Sequence, residues 1–389
     1  MIRKGRLLTP GPTQLLPAAQ LAMAAATMHH RTAEFRSLYS RVLADLKTFV
    51  GSKNDVVLFT ASGTGAMEAA VANLTSPGDQ VLVVSAGKFG ERWEGLAKTY
   101  GCGVETVRAP YGETVTPQQV KDKLKPEHKV LYMQATESST GVRHNVEGIA
   151  RALRGSDILL VVDAITGLGT THFDVDGWGI DVIIGGSQKA VMIPPGLAYC
   201  AVSDRAWQRM ETTTNPRYYF DLRKERKNGA KGESSYTPST ALVAALDYVG
   251  EQGGGDLAAG RDLLINNAET AAAMTRAAAK ALGLQLFSVD SPGAALTAIA
   301  SPRNIDSGDI VKAFRSRFGA VIAGGQGEMK DKLFRIAHLG YYDYLDTIGA
   351  VGALEHALAG LGFTLELGAG LHAAQQVYAE SEQTVALTR

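Results

Sequence analysis

Asp163 and Lys189 carry opposite charges in apolar company, 26 positions apart. Asp163 closes the run Ile158-Leu159-Leu160-Val161-Val162. Lys189 stands between Val182-Ile183-Ile184 and the turn Pro194-Pro195-Gly196. A lysine with its ordinary pKa of about 10.4 is free amine in roughly one molecule in 2,500 at pH 7. Apolar surroundings lower that pKa and make the amine a nucleophile for aldehydes. A buried carboxylate in turn needs a cation. A third feature is Ser62-Gly63-Thr64-Gly65, between the run Val56-Val57-Leu58-Phe59 and an Ala-rich stretch from Ala66 to Leu74. Small residues opening a helix expose N–H groups that suit a phosphate, although the same four residues would also make an ordinary turn.

One ligand answers all three demands. Pyridoxal phosphate has an aldehyde for Lys189, a ring nitrogen whose proton would pair with Asp163, and a phosphate for Ser62, Gly63 and Thr64. Other phosphate ligands fit less well. Gly63-Thr64-Gly65-Ala66-Met67-Glu68 has Glu where a dinucleotide fingerprint needs its third Gly, and the next apolar run ends at Ser85 rather than an acid. There is no GxxxxGK[ST] loop.

Residues at such positions must be held by strands. Short apolar runs at 56–59, 81–84, 130–133, 158–162, 182–184 and 197–202 alternate with helical stretches at 66–74 and 91–100. Runs buried on both faces and separated by helices predict a mostly parallel α/β sheet, with ligands beyond the carboxyl ends of its strands. Phe35, Leu38, Tyr39, Val42, Leu43, Leu46 and Phe49 predict a helix capped by Thr32 and stopped by Gly51. After Pro238 the chain reads as helix to about Leu282, broken at Gly253-Gly254-Gly255. Strands are then expected at 284–287, 296–300, 321–322 and 333–336, with helices at 309–318 and 344–361. The expected organisation is a Pro-rich arm over 1–20, a large domain over 21–255 and a smaller α+β domain over 256–389.

Composition excludes several classes. The 389 residues carry 39 Lys+Arg against 39 Asp+Glu, which favours no polyanion or nucleic-acid partner. The basic run Arg223-Lys224-Glu225-Arg226-Lys227 reads as a solvated loop. Two cysteines, Cys102 and Cys200, make neither a disulfide framework nor a zinc ribbon, and no HExxH occurs, so no metal is expected. No apolar stretch is long enough to span a bilayer, and no leader is legible. The expected location is the cytoplasm.

Several stretches in order resemble the class V, fold type I, aminotransferases, and within them the alanine–glyoxylate and serine–glyoxylate (serine–pyruvate) group. They are Leu8-Thr9-Pro10-Gly11-Pro12-Thr13, His30-Arg31, Glu137-Ser138-Ser139-Thr140-Gly141, Asp163-Ala164-Ile165-Thr166-Gly167, Gly186-Ser187-Gln188-Lys189-Ala190 and Phe334-Arg335-Ile336. The resemblance implies the fold type I architecture, with a mostly parallel sheet, helices on both faces and a smaller C-terminal domain. It implies that Phe89 stacks on the cofactor ring, where many relatives carry Trp. Ser138 would bond near the ring oxygen, Ile165 would line the cofactor and Gln188 would join the phosphate cup. Arg335 would grip the substrate α-carboxylate, a task suited to a planar bidentate donor. Thr237, in Tyr236-Thr237-Pro238, would reach the phosphate in the partner subunit, which implies a homodimer with shared sites. Ser234 stands where relatives often carry Tyr. His30-Arg31 is similar to the phosphate-binding pair of phosphoserine aminotransferases, but that group lacks the Pro194-Pro195-Gly196 run, so the resemblance implies a general class V feature lining the substrate entrance.

The implied activity is transfer of an amino group from a small amino acid such as alanine or serine to a small 2-oxo acid such as glyoxylate or pyruvate. Lys189 would hold the cofactor and then move the proton. Two other readings stay open. One is an accessory subunit of a soluble hydrogenase-type complex. The other is a lyase or desulfurase of the same fold, although the loop Gly324-Gly325-Gln326-Gly327-Glu328 lacks a cysteine.

Overall fold

A computed structural model describes residues 3–25, 28–252 and 257–388. The strands Asp55–Phe59 (β1), Gln80–Ser85 (β2), Gly103–Arg108 (β3), His128–Gln134 (β4), Leu159–Asp163 (β5), Val182–Gly186 (β6) and Ala198–Val202 (β7) form one seven-stranded sheet. Their order is β1-β7-β6-β5-β4-β2-β3. β7 runs antiparallel to both its neighbours, and the remaining pairs are parallel.

Successive side chains of a strand face opposite ways, and here both faces are apolar. Leu58, Leu82, Leu131, Val162 and Ile183 enter one core. Val57, Val83, Val130, Val161 and Ile184 enter the other. The helix Ala33–Val50 covers the first face with Phe35, Leu38, Tyr39, Val42 and Leu46. Thr32 accepts the Phe35 N–H at its start, and Gly51 ends it at φ 74°, a left-handed conformation that favours glycine. The helix Gly63–Leu74 covers the second face with alanines small enough to lie close on the sheet.

A three-stranded antiparallel sheet, ordered Leu296–Ala300, Leu333–Ala337, Ala323–Gly324, lies later in the chain over its own core of Phe314, Phe334, Ile336 and Leu354. The N-terminal stretch reaches this region. Arg6–Leu7 pairs in parallel with Ala320–Val321, and the Leu8 carbonyl accepts the Ala337 N–H.

Several expectations need correction. The segment 284–287 is not a strand; it meets Leu296–Ala300 through an isolated bridge, Leu286 to Ile299, flanked by the Phe287 N–H to Ala298 and Ala300 N–H to Gln285 bonds. The helix expected at 309–318 is α-helical over Ser307–Ala313 and closes in a π turn over Phe314–Phe318. The basic run is not a loop but part of the helix Leu222–Gly229, capped by Asp221, with Arg226 paired to Asp55 at 2.7 Å. β3 and the helix Ala369–Thr388 were not expected. Among the described residues β3 pairs with β2 alone and so lies at the sheet edge, where Glu105 and Arg108 remain partly or fully exposed and break the apolar run. The break at Gly253-Gly254-Gly255 lies outside the described residues.

Candidate active site

The carboxyl ends of β1, β4, β5 and β6 place the chemistry. Asp163 is the last residue of β5, and Lys189 follows β6 by three residues. Both are buried. The Asp163 Oδ1 accepts the Ile165 N–H at 2.9 Å. Among the described residues no cation stands within ion-pair distance of it. Burial pushes its carboxyl up to about 6, against the pull of the Ile165 N–H, Lys189 and Arg92. Burial likewise lowers the Lys189 amine to about 8. Asp163 opposes this shift, while Arg335 and Arg92 add to it. The Lys189 ammonium donates to the Pro10 carbonyl. Gly11 lies against it at φ +131°, and a Cβ there would come within 2.4 Å of Nζ. The N-terminal arm therefore closes over the lysine.

Ser62 is the N-cap of the helix Gly63–Leu74, but its side chain makes no capping bond. Gly63 is buried under Ile165, whose Cδ1 would lie 2.3 Å from an added Cβ. The Thr64 hydroxyl accepts Arg92 Nη1 at 3.0 Å, and the Arg92 guanidinium lies 4.7 Å from the centroid of the Phe89 ring. The Gln188 Oε1 is buried without a hydrogen-bond partner among the described residues, and the Gln188 carbonyl accepts the Thr13 N–H.

Arg335 enters from the three-stranded sheet and is buried. It donates from Nη1 to the Ser138 carbonyl at 2.6 Å, from Nη2 to the Gly324 carbonyl at 2.6 Å and from Nε to the same carbonyl at 3.2 Å. All these acceptors are neutral. Burial lowers its pKa to about 10, with Glu137 opposing. Ser138 is buried beside it. Thr237 is exposed. Nearby, the Ser239 N–H donates to Thr60 Oγ1 at 3.1 Å, just before Ser62.

Among the described residues the charges thus sit where a ligand is needed: an amine with depressed pKa, an acid without a cation, and a guanidinium without an anion. Pyridoxal phosphate fits that set, and the helix start at Ser62 and the NH₂ group of the buried Gln188 amide suit its phosphate. Sequence reasoning placed Glu137 and Pro10-Gly11 in motifs of the site but gave them, and Arg92, no role. Gly87 and Gly11 were the available signals, since each marks a place where a side chain would collide with the site.

The comparisons agree with this geometry. The family model "Aminotransferase class-V" matches residues 18–258, and the chain belongs to that family. It is similar to the soluble hydrogenase small subunit of Synechococcus sp., with 39% identity over 96% of this chain and 98% of the relative. It is also similar to the L-aspartate–glyoxylate aminotransferase of Paracoccus denitrificans, with 32% identity over 98% of each chain. Among solved structures, the pyridoxamine–pyruvate aminotransferase of Mesorhizobium loti matches at a TM-score of 0.92 and 26% identity, covering 97% of this chain and 98% of that one. The protein is a pyridoxal-phosphate-dependent aminotransferase of fold type I.

Proposed function

We propose that the enzyme moves the amino group of a small amino acid, such as alanine or serine, to a small 2-oxo acid, glyoxylate or pyruvate. Glyoxylate and pyruvate stand in the names of two relatives. The observation that carries the reading is Arg335, a buried guanidinium bonded to carbonyls and, among the described residues, paired with no carboxylate. A substrate α-carboxylate would supply the missing charge.

Bound pyridoxal phosphate supplies an aldehyde for the amine and a ring that makes the substrate's Cα proton acidic. The protein's residues do the rest. With its pKa near 8, Lys189 is free amine in about a tenth of molecules at pH 7, enough to attack the aldehyde and later to carry the Cα proton. Asp163 would hold a proton on the ring nitrogen by offering a buried negative charge. Ser62, Gly63, Thr64 and Gln188 would hold the phosphate, and Ile165 packs between the helix start and Asp163. Phe89 would cover the ring face, Ser138 would bond near the ring oxygen, and the Pro10 carbonyl takes the Lys189 ammonium.

We take Thr237 to complete the phosphate site of a second copy, which makes the enzyme a homodimer. Its exposure on this chain supports that reading. We take residues 1–20 as an arm, 21–255 as the cofactor domain and 256–389 as a second domain, with sheets at 55–202 and 296–337 in support. The two free, buried cysteines fit a reducing cytoplasm.

The test is the visible absorption of the purified protein before and after alanine, serine and aspartate are added separately. A cofactor band that changes with one donor, with the matching 2-oxo acid as product, supports the assignment. No band after reconstitution with the cofactor defeats it. The name of the Synechococcus relative favours a second reading, an accessory subunit. That reading requires an unchanging band and co-purification with a metal-containing partner.

A further inference from the structure

The helix Lys88–Thr99 starts at Gly87, which has no side chain to satisfy the first-turn N–H groups. Another part of the chain caps it. Ser139 Oγ accepts the Lys88 N–H at 3.2 Å, and Glu137 Oε2 accepts the Phe89 N–H at 3.0 Å and the Gly90 N–H at 3.1 Å. Glu137 also accepts the Gln134 Nε2 at 3.2 Å, the Ser139 N–H at 3.3 Å and the Ser139 hydroxyl. The side chain is fully buried. Gly87 makes this possible, because a Cβ there would lie 2.6 Å from both the Glu137 carboxyl carbon and Ser139 Oγ.

The residue between the two capping side chains is Ser138, and its carbonyl takes Arg335 Nη1 at 2.6 Å. A single turn therefore joins the end of β4, the helix that carries Phe89, and the arginine from the three-stranded sheet. We propose that Glu137 is a positioning residue, whose carboxylate fixes the start of the Phe89 helix and the turn that aims Arg335 at the substrate carboxylate. This rests on the reading of Arg335 given above. Five donors converge on the carboxylate, so it is required as an acceptor on both oxygens. Glutamine would turn one of those oxygens into a donor facing donors, and the turn would have to shift.

The test compares wild type with Glu137→Gln and Arg335→Gln, each reconstituted with the cofactor. The dissociation constant of propionate, which has the carboxylate but no amine, is measured by titration. Binding of propylamine, which has the amine but no carboxylate, is measured alongside. Amide hydrogen exchange at residues 88–90 is followed in the apoprotein. Glu137→Gln is expected to weaken propionate about tenfold, a change of about 1.4 kcal/mol. It should leave propylamine within about twofold and speed exchange at residues 88–90 by about tenfold or more. Gly87→Ala keeps the carboxylate but pushes on it, and should reproduce all three results where Glu137→Gln does not fold. If Arg335→Gln weakens propionate but Glu137→Gln and Gly87→Ala do not, the positioning role is wrong and the Arg335 reading stands. Equal losses for propionate and propylamine would also overturn it, since they would indicate general damage. If Arg335→Gln leaves propionate unchanged, the substrate reading fails and takes this inference with it.

Discussion

Asp163 and Asp181 are both buried aspartates of the seven-stranded sheet, at opposite ends of it. Asp181 precedes β6. Its Oδ2 accepts the Leu160 N–H at 2.9 Å, its Oδ1 accepts the Ser203 hydroxyl at 2.7 Å, and Arg205 lies 3.7 Å away. Asp163 ends β5 and has the Ile165 N–H. Burial raises the pKa of both. The difference is in what answers the burial. At the amino end the protein supplies the partners, and the acid ties strand to helix. At the carboxyl end it withholds them, and the acid is left for a ligand. A buried acid is therefore no sign of function by itself; a buried acid left short of partners at the carboxyl edge of a parallel sheet is.

The strongest way to break this comparison is through the residue that shares the ligand with Asp163. Lys189→Ala removes both the attachment point and the proton carrier, and turnover should fall by roughly 10⁴-fold. Cofactor is still expected to bind through its ring and phosphate contacts. Single-turnover kinetics on the reconstituted variant measure this, and transamination at the wild-type rate would refute the role.

Asp163→Asn should separate function from stability. Cofactor affinity should drop about a hundredfold or more, because the ring proton loses its buried counter-charge. The apoprotein should gain stability. The carboxyl titrates near 6 in the folded chain and 3.8 in the unfolded one, so the ionised form costs about 3 kcal/mol at pH 8. The folded state binds the extra proton, so the wild type recovers stability as pH falls from above 6 to below 3.8. The gain from Asn should vanish over the same window. Urea unfolding of both apoproteins at pH 8 and at the lowest pH that keeps them folded measures it. A destabilised Asn variant at pH 8 would mean that Asp163 is satisfied as Asp181 is.

Much of this was legible because β-branched runs mark buried strands, and an acid or amine at their ends stands out against them. The strands at 56–59, 158–162 and 182–184 were visible for that reason, and so was the pair they carry. β3, with the sequence Gly-Val-Glu-Thr-Val-Arg, was not, because an edge strand has a wet side and loses the apolar signature. The cap on Gly87 was invisible for a different cause. Its acceptor lies 50 residues further on, at Glu137, and only the fold brings the two together. Local capping, as at Thr32, leaves a signature in adjacent residues; remote capping leaves only a glycine with no evident reason to be there.

The depressed amine offers a smaller effect, read on the apoprotein. Attack on the cofactor aldehyde requires free Lys189, and loss of its proton near 8 makes that fraction rise with pH. It climbs from about a tenth at pH 7 to about nine tenths at pH 9, so the rate of cofactor capture should rise about tenfold and then level off. Asp163 stays ionised over this range and adds no slope. An ordinary lysine would give a rise of about a hundredfold without a plateau. Stopped-flow absorbance at a fixed cofactor concentration distinguishes the two.

Asp181→Asn should do least to the chemistry. Asparagine keeps one acceptor oxygen and places an NH₂ against either the Leu160 N–H or the Ser203 hydroxyl. The loss should be about 1–3 kcal/mol of stability, at any pH where the carboxylate is ionised in the folded chain. Turnover per folded, cofactor-loaded molecule should stay within about twofold of wild type, because the residue lies at the edge away from Lys189 and Arg335. Set beside Asp163→Asn, the variant tests the contrast directly: one substitution should stabilise an inactive apoprotein, and the other should weaken an active enzyme. Loss of turnover in Asp181→Asn without loss of stability would mean that the amino end of the sheet communicates with the site, and the division of labour between its two edges would have to be abandoned.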